Sequence, residues 1–463
     1  MRISIIGAGY VGLVSGVCLS EVGNRVICVD RIPERVQSIL HGIAPIYEPG
    51  LEDLLRRNLK NRRFTATQDL ARAVKESDIT LIAVPTPSRN GAIDLRYVRA
   101  ATREVGHALR SKRAFHVVAV KSTVVPSTSD TIVRPLLQES SGKKAGEFGL
   151  CANPEFLKEG DAIKDFLRPD RIVIGSDEER SFRVFKKIYS RFHCPILHTN
   201  LRTAEMIKYA ANSLLASLIS YSNEIASIAE AVGDVDVVDV LRGVHLDARL
   251  TPFLKGAVSS LRGHLTPGII SYLKAGCGYG GSCLPKDVPA LCTLAEKRGY
   301  EPGLLRSVIS INQQQPLRLM KRLSHELGGL RSKKVAVWGI AFKPDTDDVR
   351  DTPAKPIVDS LVQAGAKVSV YDPFGLEAAR KTLFQDTPLT YAQTQFEAVE
   401  GAHALVVVTS WPQFVKVDFW KLASLMKKHA LIVDGRRVYE RRSVLAAGLR
   451  YLGVGYRESR EAA

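Results

Sequence analysis

The chain opens on a short apolar block, Ile3-Ser4-Ile5-Ile6, that stops at Gly7, and the same form recurs along its length. Blocks rich in Val and Ile lie at 2–7, 25–29, 78–84, 116–120 and 171–175. Apolar residues at consecutive positions predict strands buried on both faces, as in a parallel sheet covered by helices. A helical run from Tyr10 to about Glu21 separates the first two blocks. A second series starts near Ser332: strands at 334–338, 367–370, 404–408 and 430–433, with a helix around 354–364 after the first. Between the series, residues 203–232 contain neither Pro nor Gly and are rich in Ala and Leu at helical spacing. They predict one helix about 45 Å long at 1.5 Å per residue. Such a length exceeds one small domain, so the helix is expected to bridge two domains and to support a homodimer interface.

The loop after the first block is Gly7-Ala8-Gly9-Tyr10-Val11-Gly12, and the second block ends in Asp30. Strand, GxGxxG, helix, strand and acid in this order predict a dinucleotide site. The glycines allow a tight turn and a close approach of the backbone to a pyrophosphate, which the helix N-terminus faces. Asp30 suits the ribose hydroxyls and would repel a 2′-phosphate, so NAD is expected rather than NADP. The loops Pro85-Thr86-Pro87 and Lys121-Ser122-Thr123 follow later strands, where an open parallel sheet binds its ligand. The second series lacks GxGxxG. Its first loop carries Lys343 and Arg350, and its crevice is expected to take something other than a dinucleotide.

Composition changes this picture little. The 463 residues suffice for several domains, and 45% hydrophobic with 24% charged residues is ordinary for a globular protein. No stretch reaches the length of a membrane span, and no signal peptide is evident, so a cytoplasmic protein with no membrane partner is expected. The net charge of +17 is scattered without an aromatic-interleaved stripe, which argues against nucleic acid as a partner. Seven cysteines without a C-x-x-C pair argue against a disulfide framework and against a zinc site, and no metal is expected.

One cysteine stands apart. Cys283 lies in Gly278-Tyr-Gly-Gly-Ser-Cys-Leu-Pro-Lys-Asp287, with a helix start expected between Leu284 and Val288 and Lys286 nearby. Both influences favour a thiolate, while Gly280 and Gly281 would let a substrate approach the backbone. A buried structural cysteine is the alternative reading of the same residues. Beside a nicotinamide, a thiolate can add to an aldehyde, and hydride loss from the adduct leaves a thioester that water converts to an acid. An oxyanion stabiliser is then needed. Lys208 and Asn212, four apart on one helix face, are candidates. A general base is needed too, either Asp287 or a glutamate such as those of Asn153-Pro-Glu155-Phe-Leu-Lys-Glu159-Gly.

Seven motifs in one order carry a resemblance: GAGYVGL (7–13), VPTP (84–87), KSTVVP (121–126), NPEFLKEG (153–160), AEMIKYAAN (204–212), GYGGSCLPKD (278–287) and GIAFKPDTDDVRDTP (339–353). In these the chain resembles the UDP-glucose/GDP-mannose dehydrogenases. The resemblance implies two Rossmann-like doubly wound α/β domains joined by a central helical domain, at 1–202, 326–463 and 203–325. It implies a four-electron oxidation of a sugar 6-hydroxyl with two NAD, favouring UDP-glucose to UDP-glucuronate, with GDP-mannose or a UDP-aminosugar as the alternative. Cys283 resembles the nucleophile, Lys208 and Asn212 the oxyanion stabilisers, Asp287 the acid that activates water with Lys208, and Glu155 the acid/base of thioester hydrolysis. Thr123 matches a catalytic and cofactor-contacting position. Gly7, Gly9, Tyr10, Val11, Gly12, Asp30, Arg35, Pro85, Thr86, Glu159 and Arg350 match other cofactor positions. Phe156, Leu157, Lys274, Gly280, Phe342, Lys343 and Arg436 match positions that hold the nucleotide sugar, and Arg249 one that reaches a partner subunit's site. Residues 251–267 read as an insertion into the family pattern.

Overall fold

The computed structural model describes residues 1–89, 91–247, 250 and 268–457. Arg249 and the segment 251–267 therefore lie outside the described residues. The chain forms two compact units, Met1–Ala211 with Thr293–Gly299, and Asn212–Cys292 with Tyr300–Ala463. The segment expected as a central domain is thus shared between them.

The first unit is built on β1 (Arg2–Ile6), β2 (Arg25–Val29), β3 (Phe64–Thr67), β4 (Ile79–Ile82), a hairpin of β5 (Ser88–Arg89) and β6 (Ala92–Ile93), β7 (Val117–Val120), β8 (Gly149–Ala152), β9 (Ile172–Gly175) and β10 (Ile196–Thr199). The sheet order is β3-β2-β1-β4-β7-β8-β9-β10. All pairs are parallel except a single antiparallel bridge between β8 and β9. The chain leaves β1 toward β2 on one side and returns through β4 on the other, so the loop after β1 opens at the reversal point. Alternate residues of β1 serve the two faces. Ile3 and Ile5 pack with Leu13 and Val17 of the helix Tyr10–Glu21, whereas Ile6 packs with Val98 and Val105 of the helix Arg96–Leu109. Each fully buried Ile or Val contributes about 1.5–3 kcal/mol. That two-sided burial is why these strands read as continuous apolar blocks.

The second unit repeats the plan with β11 (Lys334–Trp338), β12 (Lys367–Tyr371), β13 (Leu389–Tyr391), β14 (Ala404–Val407), β15 (Leu431–Asp434) and β16 (Arg450–Gly453). Its order, β13-β12-β11-β14-β15-β16, is parallel throughout. Val335 and Val337 face one cluster, Ala336 and Trp338 the other. The first cluster also takes in Ala226 and Ala229, Val237 and Leu241 of the helix Val237–His245, and Leu319 and Leu323 of the helix Gly303–Glu326. These shared apolar contacts attach the central helices to the second sheet.

The long helix runs from Leu201 to Val232, 32 residues, starting two positions before the expected residue 203. A further helix, Leu284–Lys297, begins immediately after Cys283. Pro285 occupies its first turn, where a missing N–H costs little.

Candidate active site

The three glycines of the first loop are required for three different reasons. Gly7 has φ +105°, and a Cβ there would lie 2.6 Å from the Ala83 carbonyl oxygen. A Cβ on Gly12 would lie 1.9 Å from the Gly7 carbonyl oxygen, so the helix packs directly on the turn. At Gly9, the N-cap of the helix, nothing lies within 4 Å of the Cβ position and no side chain caps the helix. The amides that open the helix at Tyr10 and Val11 are therefore not covered by a capping side chain. Asp30 ends β2 almost fully buried and accepts from the amides of Ala8 (2.9 Å) and Ile32 (3.0 Å) and from Nη1 of Arg35 (3.1 Å). An uncovered helix start beside a fixed carboxylate fits the pyrophosphate and ribose of NAD. Pro85 and Thr86 follow β4, and Thr123 follows β7. Ser122 Oγ ties these loops together by donating to the Val84 carbonyl (2.7 Å).

Glu48 escaped the sequence reading. It is buried, accepts from the Tyr10 hydroxyl, and also takes the amides of Gly160 (2.7 Å) and Ala162 (2.8 Å). One carboxylate thus joins the glycine turn to the end of the Glu155–Gly160 loop. Burial, with Glu48 beside it, pushes the Tyr10 phenol well above its usual range.

That loop carries the first candidate group, Glu155. Glu155 Oε1 lies 3.0 Å from Lys208 Nζ, and both side chains are about 95% buried. Glu155 Oε2 accepts from the Leu157 amide (2.6 Å). Burial opposes its charge, but Lys208, the Leu157 amide and Lys121 outweigh burial and hold the carboxyl below its usual range. The Phe156 ring lies under both Lys208 Nζ (5.5 Å) and the Arg171 guanidinium (4.0 Å). Glu159 is half-buried one turn of chain further on.

The second candidate group, Cys283, belongs to the second unit. Cys283 is half-buried, and its carbonyl accepts the first bond of the helix, from the Asp287 amide (2.8 Å). Its thiol stands at a helix N-terminus, which favours the thiolate. The Lys286 ammonium bonds Oδ1 of Asp287. Asp287 is fully buried, and its Oδ2 accepts from Asn212 Nδ2 (2.6 Å). Asn212 lies one turn beyond Lys208 on the long helix.

The loop before Cys283 is clamped by buried amides. Asn223 accepts from the Gly276 amide (2.8 Å), and Gln315 donates to the Gly276 carbonyl (2.9 Å). Asn312 pairs with both main-chain groups of Tyr279, at 2.8 and 3.1 Å. The glycines differ from expectation here. A Cβ on Gly280 would meet the Asp351 carbonyl oxygen at 2.5 Å, and Gly281, at φ +85°, faces the Phe342 ring at 2.8 Å. The missing side chains admit this chain's own loop.

That neighbouring loop holds the remaining candidates. Phe342 and Lys343 are half-buried, and Lys274 is exposed. Arg350 pairs with Asp348 through two bonds, 2.8 and 2.7 Å. Arg436 donates to the carbonyls of Val408, Gly278 (3.1 Å) and Phe342 (3.4 Å), and so braces three loops. At the end of β12, Asp372 accepts from the amides of Ile340, Ala341, Phe374 and Gly375 and from Trp411 Nε1, at 2.7 to 3.1 Å. Its acceptor sites are filled by its own chain. Asp372 is therefore not free to take the ribose hydroxyls of a dinucleotide as the acid after β2 can.

Comparison with known proteins agrees with this arrangement. Family models of the UDP-glucose/GDP-mannose dehydrogenases match residues 1–193 (NAD binding domain), 202–314 (central domain) and 336–441 (UDP binding domain). The chain is 42% identical to a UDP-glucose 6-dehydrogenase of Rhizobium meliloti, over 98% of this chain and 99% of that one. It is 39% identical to one of Bacillus subtilis, over 98% and 93%. Among solved structures, a UDP-glucose dehydrogenase from Pyrobaculum islandicum superposes with a TM-score of 0.87 at 37% identity, covering 98% of each chain.

Proposed function

The chain belongs to the UDP-glucose/GDP-mannose dehydrogenase family, and from that premise we propose that it oxidises the C6 hydroxyl of UDP-glucose to a carboxylate, giving UDP-glucuronate. The observation that carries the reading is Cys283 at the N-terminus of a helix whose first turn presents Asp287 to Asn212. A two-electron hydroxy-acid dehydrogenase needs neither a thiol nor a buried acid in this position. UDP-glucose is favoured over other nucleotide sugars because the curated relatives at 39–42% identity are named UDP-glucose 6-dehydrogenases.

Bound NAD supplies the acceptor for each of two hydrides, held by the Gly7–Gly12 turn with Asp30 and Arg35, and by Pro85, Thr86, Thr123, Glu159 and Arg350. The chain's residues do the rest. The C6 hydroxyl gives up a proton and a hydride to become an aldehyde. Cys283 adds to it, forming a C–S bond, with the developing oxyanion held by Lys208 and Asn212. Loss of the hydroxyl proton and the second hydride leaves a thioester. Water, activated by Glu155 and by Asp287 working with Lys208, attacks the carbonyl. The C–S bond breaks, the thiolate returns, and the acid leaves. Phe156, Leu157, Lys274, Gly280, Phe342, Lys343 and Arg436 are assigned to the nucleotide sugar.

The same proposal divides the chain into an NAD domain (1–202), a central domain (203–325) and a UDP domain (326–463). It includes a homodimer formed through the long helix. Leu214, Tyr221 and Ile228 recur every seventh residue there and are 54, 47 and 53% exposed, an apolar stripe suited to a second copy. It also includes a cytoplasmic location, with which seven free cysteines accord. NADH formed per UDP-glucose consumed tests the reaction: two supports it, and one excludes the four-electron course. A panel of UDP- and GDP-sugars tests the choice of substrate.

A further inference from the structure

Beneath the Glu155 loop lies a buried cation that the reaction as written does not use. Lys121 ends β7, is 3% exposed, and donates from Nζ to Oδ1 of Asn153 (3.0 Å). The same oxygen accepts from the Tyr189 hydroxyl, while Asn153 Nδ2 donates to the Val173 carbonyl (2.8 Å). Asn153 is therefore fixed from three sides, two residues before Glu155. Lys121, Asn153, Glu155 and Tyr189 share the wall of one recess. Two lysines, 121 and 208, thus flank one buried carboxylate.

A buried cation is retained only where something compensates its desolvation. Asn153 and Tyr189 offer hydrogen bonds but no charge. The opposite charge comes from Glu155, whose carboxyl Lys121 helps to hold ionised. Burial pushes the Lys121 ammonium itself down to about 8 against the pull of Glu155, with Lys208 adding to the fall.

We propose that Lys121 is a positioning residue for the hydrolytic half of the reaction: anchored on Asn153, it fixes the start of the loop that carries Glu155 and keeps that carboxylate charged. The proposal rests on the reading of Glu155 as the base of thioester hydrolysis. Glu155 faces Lys208 and Lys121, and the recess also carries Lys158, Asp165, Arg168 and Arg171, which remain in every variant below.

Lys121→Met and Lys121→Arg are compared with the wild-type enzyme. In Lys121→Met, kcat falls about tenfold or more, the loss expected for a buried bond to a charged group, while KM for UDP-glucose changes less than about threefold. NADH appears as a burst of two per site ahead of a slow steady rate, with the sugar held on Cys283 in intact-protein mass spectra. The acid limb of kcat moves to higher pH, because a carboxylate that has lost a cation takes up a proton more readily. Lys121→Arg, which keeps the charge and has the recess to occupy, restores kcat and the acid limb. An unchanged kcat in Lys121→Met, or a loss confined to KM, overturns the proposal. Should Lys121→Met fail to fold, Tyr189→Phe decides: a fall in kcat of about threefold at constant KM, from one lost hydrogen bond, supports it, and no change refutes it. A wild-type ratio other than two NADH per sugar would instead defeat the underlying reading, whatever the variants do.

Discussion

Lys286→Met separates two accounts of the residue beside Cys283. Sequence proximity assigns Lys286 to the thiol, as a cation that favours the thiolate. The structure has its ammonium on Oδ1 of Asp287, a carboxylate with no solvent exposure. At about 4 Å and an effective dielectric near 20, such a pair is worth about 4 kcal/mol. The Lys286 side chain is 18% exposed, which screens part of this. Asn212 still donates to Oδ2 after the substitution. Loss of that attraction at a buried carboxylate should lower kcat by about tenfold or more, with KM for UDP-glucose changing less than about threefold. Alkylation of Cys283 by iodoacetamide reads the thiol directly. Its pH dependence should stay within about half a unit of wild type, since the helix start that favours the thiolate is retained. An alkylation profile displaced upward by a unit or more, with kcat unchanged, would refute the assignment of Lys286 to Asp287.

Three shorter tests follow from the same geometry. Gly9→Ala should leave the thermal midpoint unchanged, because nothing lies within 4 Å of the new methyl, yet weaken NAD binding about tenfold by covering the helix amides; titration with NAD checks it. Gly12→Ala, with its methyl 1.9 Å from a carbonyl oxygen, should instead lower the midpoint by the equivalent of about 1–3 kcal/mol. For the proposed homodimer, Leu214→Arg with Ile228→Arg should give a monomer by light scattering without loss of helix content. His116 is buried, bonded to Thr80 (2.7 Å), and pushed down to about 3, by burial first and then by Lys112. The unfolded chain takes up a proton below about pH 6.5 that the folded chain refuses. Stability supplied by neutral His116 should therefore be complete above that pH and fall by up to about 1.4 kcal/mol per unit on acidification toward 3. Urea unfolding at pH 7.5 and 5.0 should show a smaller acid loss in His116→Gln than in wild type.

What the sequence displayed and what it hid follow from one physical distinction. β1, β4 and β7 are buried on both faces, so nearly every position is apolar and the strands are legible as blocks. β3 at one sheet edge alternates, with Thr65 exposed, and β10 at the other is only half covered; neither forms such a block. The glycine turn is legible because each constraint is local: Gly12 meets Gly7, five residues away. The groups that hold the reactive side chains in place are different. Glu48 reaches Tyr10 across 38 residues, and Lys121 reaches Asn153 across 32. Asn223, Asn312 and Gln315 clamp the Cys283 loop through main-chain N–H and C=O groups. Every non-proline residue offers those groups, so no side chain opposite the amide marks the pairing, and no periodicity betrays it. Gly280 has a requirement of the same kind: its absent side chain makes room for the Asp351 main chain, a partner 71 positions away with no residue-type signature. A residue whose partner is backbone is specified by the fold alone. Candidate reactive side chains could therefore be proposed from motifs, while the groups that hold them became visible only in the folded chain.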